Sequence, residues 1–381
     1  MFRETGLRRE VKPIPPGLKR ERPRFRSAPS WYGGLTLRLR EDSQFLRSAV
    51  QLGFVLLCIW IGIEFWLFMR WGLSGAAEPF FNRPPGAEGF LPISALMSLK
   101  FWIQTGIINE IHPAGLFIFL AIVGAGLLLK KAFCSWMCPV GTLSEGLWML
   151  GKKIFGKNLN LTPWLDYPLR SLKYLLLFYF VWAIWDMDVP ALQAFIYSPY
   201  NKMADVKMYI FFAEISTFAL WIVVLLMLLS VAIKNFWCRY LCPYGALLGM
   251  LSWMSPVKIT RNKETCIDCE LCTRKCPSSI PVHRAGRVRS DECTSCLECV
   301  EVCPVKETLQ LRLSRKSRAM PPWIFGSLVV GLFLAVTGLA MLTGHWQNGI
   351  AREEYQRRFQ QLDSPLYHHF RGEVPEYGPE D

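Results

Sequence analysis

The chain has 381 residues, 52% of them hydrophobic, with fifteen tryptophans, a mean hydropathy of +0.23 and a formal net charge of +13. That balance excludes a disordered chain, which is poor in apolar residues, and an ordinary soluble enzyme, which lacks long uncharged runs. Thirteen cysteines, all but Cys58 in four short motifs, exclude a disulfide-stapled secreted domain, whose cysteines spread over distant loops.

Residues 1–46 form a basic arm, with twelve lysines and arginines up to Arg47. Beside an apolar run this arm reads as a topology signal and a contact for anionic lipid, and no nucleic-acid partner is expected. No cleavable signal peptide is apparent, because the basic residues precede any apolar run. The stretch 48–69 contains Glu64 as its one charged residue and is long enough to span a bilayer. Residues 93–113 are apolar but broken by Lys100, Gln104 and Glu110, so they read as an interfacial or re-entrant helix. Residues 111–129, 215–233 and 319–351 carry no Asp, Glu, Lys or Arg, and 171–188 forms a weaker span with Lys173 and Asp186 placed to snorkel at its ends.

Five spans result. Thirty-four of the 43 basic residues then fall on one side, in the segments up to Arg47, from Lys130 to Lys173 and from Lys234 to Arg318. The positive-inside bias places the N-terminus in the cytoplasm and the C-terminus in the periplasm. The spans themselves contain no facing histidine pair, and no haem is predicted.

Inside the membrane part, KKAFCSWMCPVGTL (130–143) and KNFWCRYLCPYGAL (234–247) match at Lys, Cys, Cys, Pro, Gly and Leu, each after a span running in the same direction. This is a parallel internal duplication. Cysteines at i and i+4 share a helix face, so Cys134, Cys138, Cys238 and Cys242 are expected to converge on one redox centre at the membrane edge. A further iron–sulfur or other metal centre is the first expectation, a pair of exchangeable dithiols the second, and buried packing thiols the bland reading. Lys130, Lys234 and Arg239 are placed to stabilise thiolates there.

CIDCELCTRKCP (266–277) is followed by CTSCLECVEVCP (293–304), two copies of C-x-x-C-x-x-C-x-x-x-C-P. Zinc needs only paired C-x-x-C knuckles; a third and fourth cysteine followed by proline is the pattern of two-cluster ferredoxins, in which the fourth cysteine of each run ligates the other cluster. Cys266, Cys269, Cys272 and Cys303 should therefore hold one [4Fe-4S] cluster, and Cys293, Cys296, Cys299 and Cys276 the other. The alternating flanks 257–262 and 308–313 read as the outer strands of a small α+β module over 256–316.

The order of spans, two C-x-x-x-C-P motifs and two ferredoxin runs resembles the membrane polyferredoxin family, which includes NapH-, NosR- and CcoG-type proteins. The resemblance covers about residues 47–318. It implies an α-helical integral membrane protein of the bacterial inner membrane: a four-span domain over 47–255, a cytoplasmic ferredoxin-like module over 256–316, a fifth span over 319–343 and an external tail over 344–381. It implies electron transfer between the quinone pool or a cytoplasmic reductant and a respiratory partner such as a cytochrome or a reductase. The CcoG branch implies instead reduction of a metal ion or disulfide during assembly of a respiratory enzyme. Glu64, with Glu110 and His112 near the outer boundary, is the candidate quinone and proton site, since an ionisable group in a span is costly and often functional. Glu64 reads equally well as a solvated end residue, and His112 as a helix start.

Overall fold

A computed structural model describes residues 12, 39, 42–75, 77–159, 161–305, 307–367 and 374–378. Most of the basic arm and residues 368–373 and 379–381 of the tail lie outside the described residues. Helix α1 (Ser43–Leu73) starts where Asp42 accepts from the amides of Gln44 and Phe45 at 3.0 and 2.9 Å. Helix α2 (Pro92–Thr105), helix α3 (Pro113–Leu128), the short α4 (Ala132–Trp136) and α5 (Pro139–Phe155) complete the first half. The second half repeats the order: α6 (Pro163–Asp186), three short helices α7 (Val189–Tyr197), α8 (Pro199–Lys202) and α9 (Ala204–Ala213), then α10 (Thr217–Ala232), one π-helical turn (Trp237–Leu241) and α11 (Pro243–Leu251).

Each apolar stretch forms a helix, but among the described residues only α1 and α14 (Pro322–Leu342) are long and apolar enough to cross a membrane alone. Helices α6 with α7, and α9 with α10, qualify as pairs bent by 105° and 84°, which gives two to four candidate spans among the described residues by length and composition. Helix α3 has 16 residues, a rise of about 24 Å against a hydrocarbon core of about 30 Å. The stretch 93–113 overlaps all but the first residue of the 14-residue α2, and its Lys100 is buried, donating to the carbonyls of Ile184 and Trp185 at 3.0 Å and to Met187. A cation thus closes the C-terminal end of α6, where the helix dipole favours it.

The duplicated helices occupy unlike places. Helix α3 is central, packed by α2, α11 and α14 with Leu116 and Phe119 buried. Its counterpart α10 lies at the edge, with Phe218 and Trp221 exposed, and packs on α5. The α5–α10 crossing is close enough that a Cβ on Gly151 would sit 1.9 Å from the Val231 carbonyl oxygen.

After α11 the chain forms a head of β1 (Lys258–Arg261), α12 (Leu271–Lys275), α13 (Glu298–Glu301) and β2 (Leu309–Arg312). The strands pair antiparallel, Ile259 opposite Leu311 and Arg261 opposite Leu309. Ile259, Leu309 and Leu311 share one apolar core with Trp136 and Met137 from the first half and Phe325 and Val329 from α14. The head is therefore built into the membrane part. Lys173, expected to snorkel, is instead wholly buried and ion-paired with Glu292 of the head, and the next residue, Tyr174, donates to Asp291. In the tail, α15 (Arg352–Gln360) packs Tyr355 and Phe359 against Phe68 of α1.

Candidate metal centres

Cys266, Cys269, Cys272 and Cys303 line one cavity of the head; Cys276, Cys293, Cys296 and Cys299 line a second. Each cavity takes three cysteines from one run and the fourth from the other. The runs curl in this way because the residues flanking each middle cysteine are left-handed: Asp268 and Glu270 at φ 53° and 59°, Ser295 and Leu297 at 51° and 62°. That backbone is costly for a non-glycine residue, for a bulky Leu above all, and persists where its surroundings dictate it. It turns successive amides toward one concave side, the arrangement that receives negative charge. The amides of Ser278 and Ile280 face Cys276, two and four residues past it, beyond the Pro277 exit.

Among the described residues no three His, Cys, Asp or Glu side chains gather on a point that could hold a single metal ion. The eight cysteines ring cavities instead, a donor set that fits a four-iron cubane in each better than one zinc tetrahedron. Burial pushes the thiol of Cys276 up to about 11 and that of Cys296 up to about 12, so filling the second cavity must displace protons. Cations differ between the two. Arg261 donates to the Cys266 sulfur at 3.2 Å, whereas Arg47, Lys130 and Lys234 act on Cys296, Cys293 and Cys276.

The C-x-x-x-C-P cysteines are not arranged as the helical spacing foresaw. Cys134 lies in α4 and Cys238 in the π turn, while Cys138 and Cys242 are extended N-caps of the next helices, their sulfurs accepting from Gly141 at 3.4 Å and Gly245 at 3.3 Å. The helix breaks between the two cysteines of each pair, so they are not on one helix face. Gly141 is required there, because its Cβ would stand 2.1 Å from the Cys134 carbonyl oxygen. Negative charge on Cys238 is opposed by Cys242, Cys138 and Cys134. Burial pushes Cys134 up to about 12 and Cys138 up to about 11.

The compensating cation is Lys131. Burial opposes its charge, yet Glu292 together with Cys134, Cys242 and Cys238 holds its pKa above the ordinary lysine value. Lys130, expected in that role, donates to the Ser290 carbonyl at 2.7 Å. Arg239 instead engages Asp166 at 3.0 Å, and Lys234 lies over the Trp148 ring. The alignment of the two motifs singled out Lys130 because it has a lysine counterpart, whereas Lys131 aligns with Asn235 and gave no signal.

The membrane-edge cysteines abut the second cavity. Between Cys134 and Cys138, Ser135 donates from its hydroxyl to the Thr294 carbonyl at 2.7 Å, and Trp136 from its indole to the Ser295 carbonyl at 3.2 Å. Thr294 and Ser295 are the two residues between Cys293 and Cys296.

The structure does not bring Glu64 together with His112. Glu64 accepts from Trp60 of its own helix at 3.0 Å on the exposed side of α1. His112 is buried at the start of α3, with Nδ1 3.2 Å from Arg83 and Nε2 2.7 Å from the Asn201 carbonyl. Arg83 is also paired with Glu88 at 2.8 Å and with Asp205, all nearly solvent-free. The Glu110 carbonyl accepts from Gly349. Arg83, Glu88 and Asp205 were invisible in the sequence, since Arg83 and Asp205 are 122 positions apart.

A family model described as a 4Fe-4S binding domain matches residues 111–158 and again 215–262, and one described as a 4Fe-4S dicluster domain matches 258–304. The putative electron transport protein YccM of Escherichia coli is 43% identical over 355 residues, which cover 92% of this chain and 99% of that protein. The ferredoxin-type protein NapH of Escherichia coli is 24% identical, covering 72% of this chain and 88% of its own length. The regulatory protein NosR of Pseudomonas aeruginosa is 29% identical over 48% of this chain and 25% of its own length. No solved structure matches.

Proposed function

Because the chain belongs to the membrane polyferredoxin family of membrane-associated 4Fe-4S electron-transfer proteins, we propose that it relays single electrons between a cytoplasmic reductant or the quinone pool and a respiratory partner. Its sites are two [4Fe-4S] cradles, Cys266, Cys269, Cys272 with Cys303 and Cys293, Cys296, Cys299 with Cys276, and a third centre of Cys134, Cys138, Cys238 and Cys242. The proposed setting is the bacterial inner membrane, crossed five times, with the head cytoplasmic and the C-terminus periplasmic. A cluster in each cradle supplies one-electron storage with little rearrangement.

The chain's own residues do the rest. Arg261 holds positive charge against Cys266, and Lys131 does the same for the membrane-edge sulfurs. The Lys173–Glu292 pair fixes the head's second loop to α6. The observation that carries this reading is the hydrogen-bonded contact of Trp136 and Ser135 with Ser295 and Thr294, which joins one cysteine motif to the other across a single interface. The test is electron flux in proteoliposomes from a head-side reductant to a quinone analogue in the bilayer. Replacing Cys138 and Cys242 by alanine should lower the flux at least tenfold while the head retains its iron; unchanged flux refutes the relay.

A further inference from the structure

A third cavity of about 350 Å³ lies where the membrane helices meet the head, sharing Cys276 with the lining of the second cradle and nothing with the first. Four cations line it: Arg170 of α6, Lys234 and Arg239 from the link between α10 and α11, and Arg274 of α12. Its one carboxylate, Asp166, is already engaged, accepting from Arg170, from Arg239 at 3.0 Å and from the Tyr240 hydroxyl at 2.6 Å. Beyond the lining, Lys152 and Glu298 act on Lys234 with opposite sign. Among the lining side chains four cations thus stand against one carboxylate and the Cys276 sulfur.

Two donors there are also unspent. The Nε of Arg239, whose side chain is 10% exposed, and the Nε of Arg170 are buried with no partner. Buried polar groups are normally hydrogen-bonded, and Asp166 alone among lining carboxylates faces the four lining cations, so this arrangement calls for an anion. Guanidinium forks match phosphate oxygens in pairs. Leu159 and Tyr167 on the rim are 59% and 68% exposed, and the adjacent Trp164 is 75% exposed. An aliphatic and aromatic rim beside cations is what a protein presents at the headgroup level of a bilayer.

We propose that this cavity binds a phosphate group, supplied by the headgroup of an anionic phospholipid. The bound phosphate bridges Arg274 of the head to Arg170, Lys234 and Arg239 of the membrane part, across a wall that includes Cys276. The lipid is thus a strut that fixes the second cradle against the membrane helices.

The test uses the full-length protein in mild detergent, stripped of lipid and titrated with phosphatidylglycerol, phosphatidylcholine or inorganic phosphate, with bound lipid counted by native mass spectrometry and bound phosphate by radiolabel. Wild type should take up one phosphatidylglycerol that phosphatidylcholine does not displace. Lys234→Gln with Arg274→Gln, neither a partner of Asp166, should weaken that binding about tenfold or more. Lys153→Gln with Lys157→Gln, the same charge change outside the cavity, should leave it intact. Iron content reports folding, and Arg274→Gln alone replaces the double variant if iron is lost. Saturable binding of inorganic phosphate alone, with the same variant loss, makes free phosphate the source and keeps the site. Equal lipid and phosphate binding by wild type and the cavity variant, or equal weakening by the control, overturns the proposal.

Discussion

Arg261→Gln gives a sharp expectation for the head. The guanidinium stands 3.2 Å from the Cys266 sulfur and is also shared with Asp268 at 3.2 Å, and its side chain is 9% exposed. Taking the charge as about 6 Å from the centre of the cradle and an effective dielectric of about 20, one unit of added negative charge gains roughly 2.8 kcal/mol from this cation. Sharing with Asp268 reduces that to about 1.5–2 kcal/mol, or about 65–85 mV at 2.3 kcal/mol per 100 mV. Arg261→Gln should therefore lower the reduction potential of the centre held by Cys266, Cys269, Cys272 and Cys303 by about that amount, and Arg261→Lys should lower it less. The second centre should barely move. The assay is an anaerobic redox titration of full-length protein followed by electron paramagnetic resonance, with iron content as the folding control. A rise in potential, no shift, or an equal shift of both centres refutes the assignment of Arg261 to the first cradle.

Cys276→Ser should damage the centre whose other ligands are Cys293, Cys296 and Cys299; spectra showing loss confined to the other centre would overturn the crossed grouping. Lys173→Met strands Glu292 without its buried partner and should destabilise the protein by about 3–5 kcal/mol, while Lys173→Met with Glu292→Met should recover most of that loss in thermal unfolding. If the single and double variants unfold alike, the pair does not fasten the head. For topology, a periplasm-dependent reporter fused after Asp381 should be active and one fused after Arg318 inactive; the reverse pattern would reject the five-span orientation.

The grouping of cysteines about each cavity was legible because it is local: each run supplies three of the four cysteines of its cavity within seven residues, and β2 alternates in burial as its sequence does, whereas β1 buries its first two residues in succession. The helices were legible from uncharged length. Which of them is central was not, because lipid is as apolar as a protein core: α3 and α10 look alike in sequence, yet one is enclosed and the other lies at the edge. The partner of Lys173 is 119 positions away, and nothing local distinguishes a buried ion pair from a snorkelling end residue. The C-x-x-x-C spacing predicted a helical face, whereas the proline after each second cysteine makes that cysteine the cap of a new helix, so the two cysteines of a pair lie on either side of a corner. The helix in the tail was missed because REEYQRRFQ is mostly charged, though Tyr355 and Phe359 at i and i+4 form its buried face.

Iron and acid-labile sulfide, measured on anaerobically purified full-length protein and on its Cys138→Ala/Cys242→Ala variant, test the three-centre arrangement most directly. Three centres predict more than about eight irons per chain in the wild type and about eight in the variant, with both head centres intact by electron paramagnetic resonance. About four irons, or zinc in their place, would contradict the two cradles, and equal iron in both proteins would contradict an iron centre at the membrane edge.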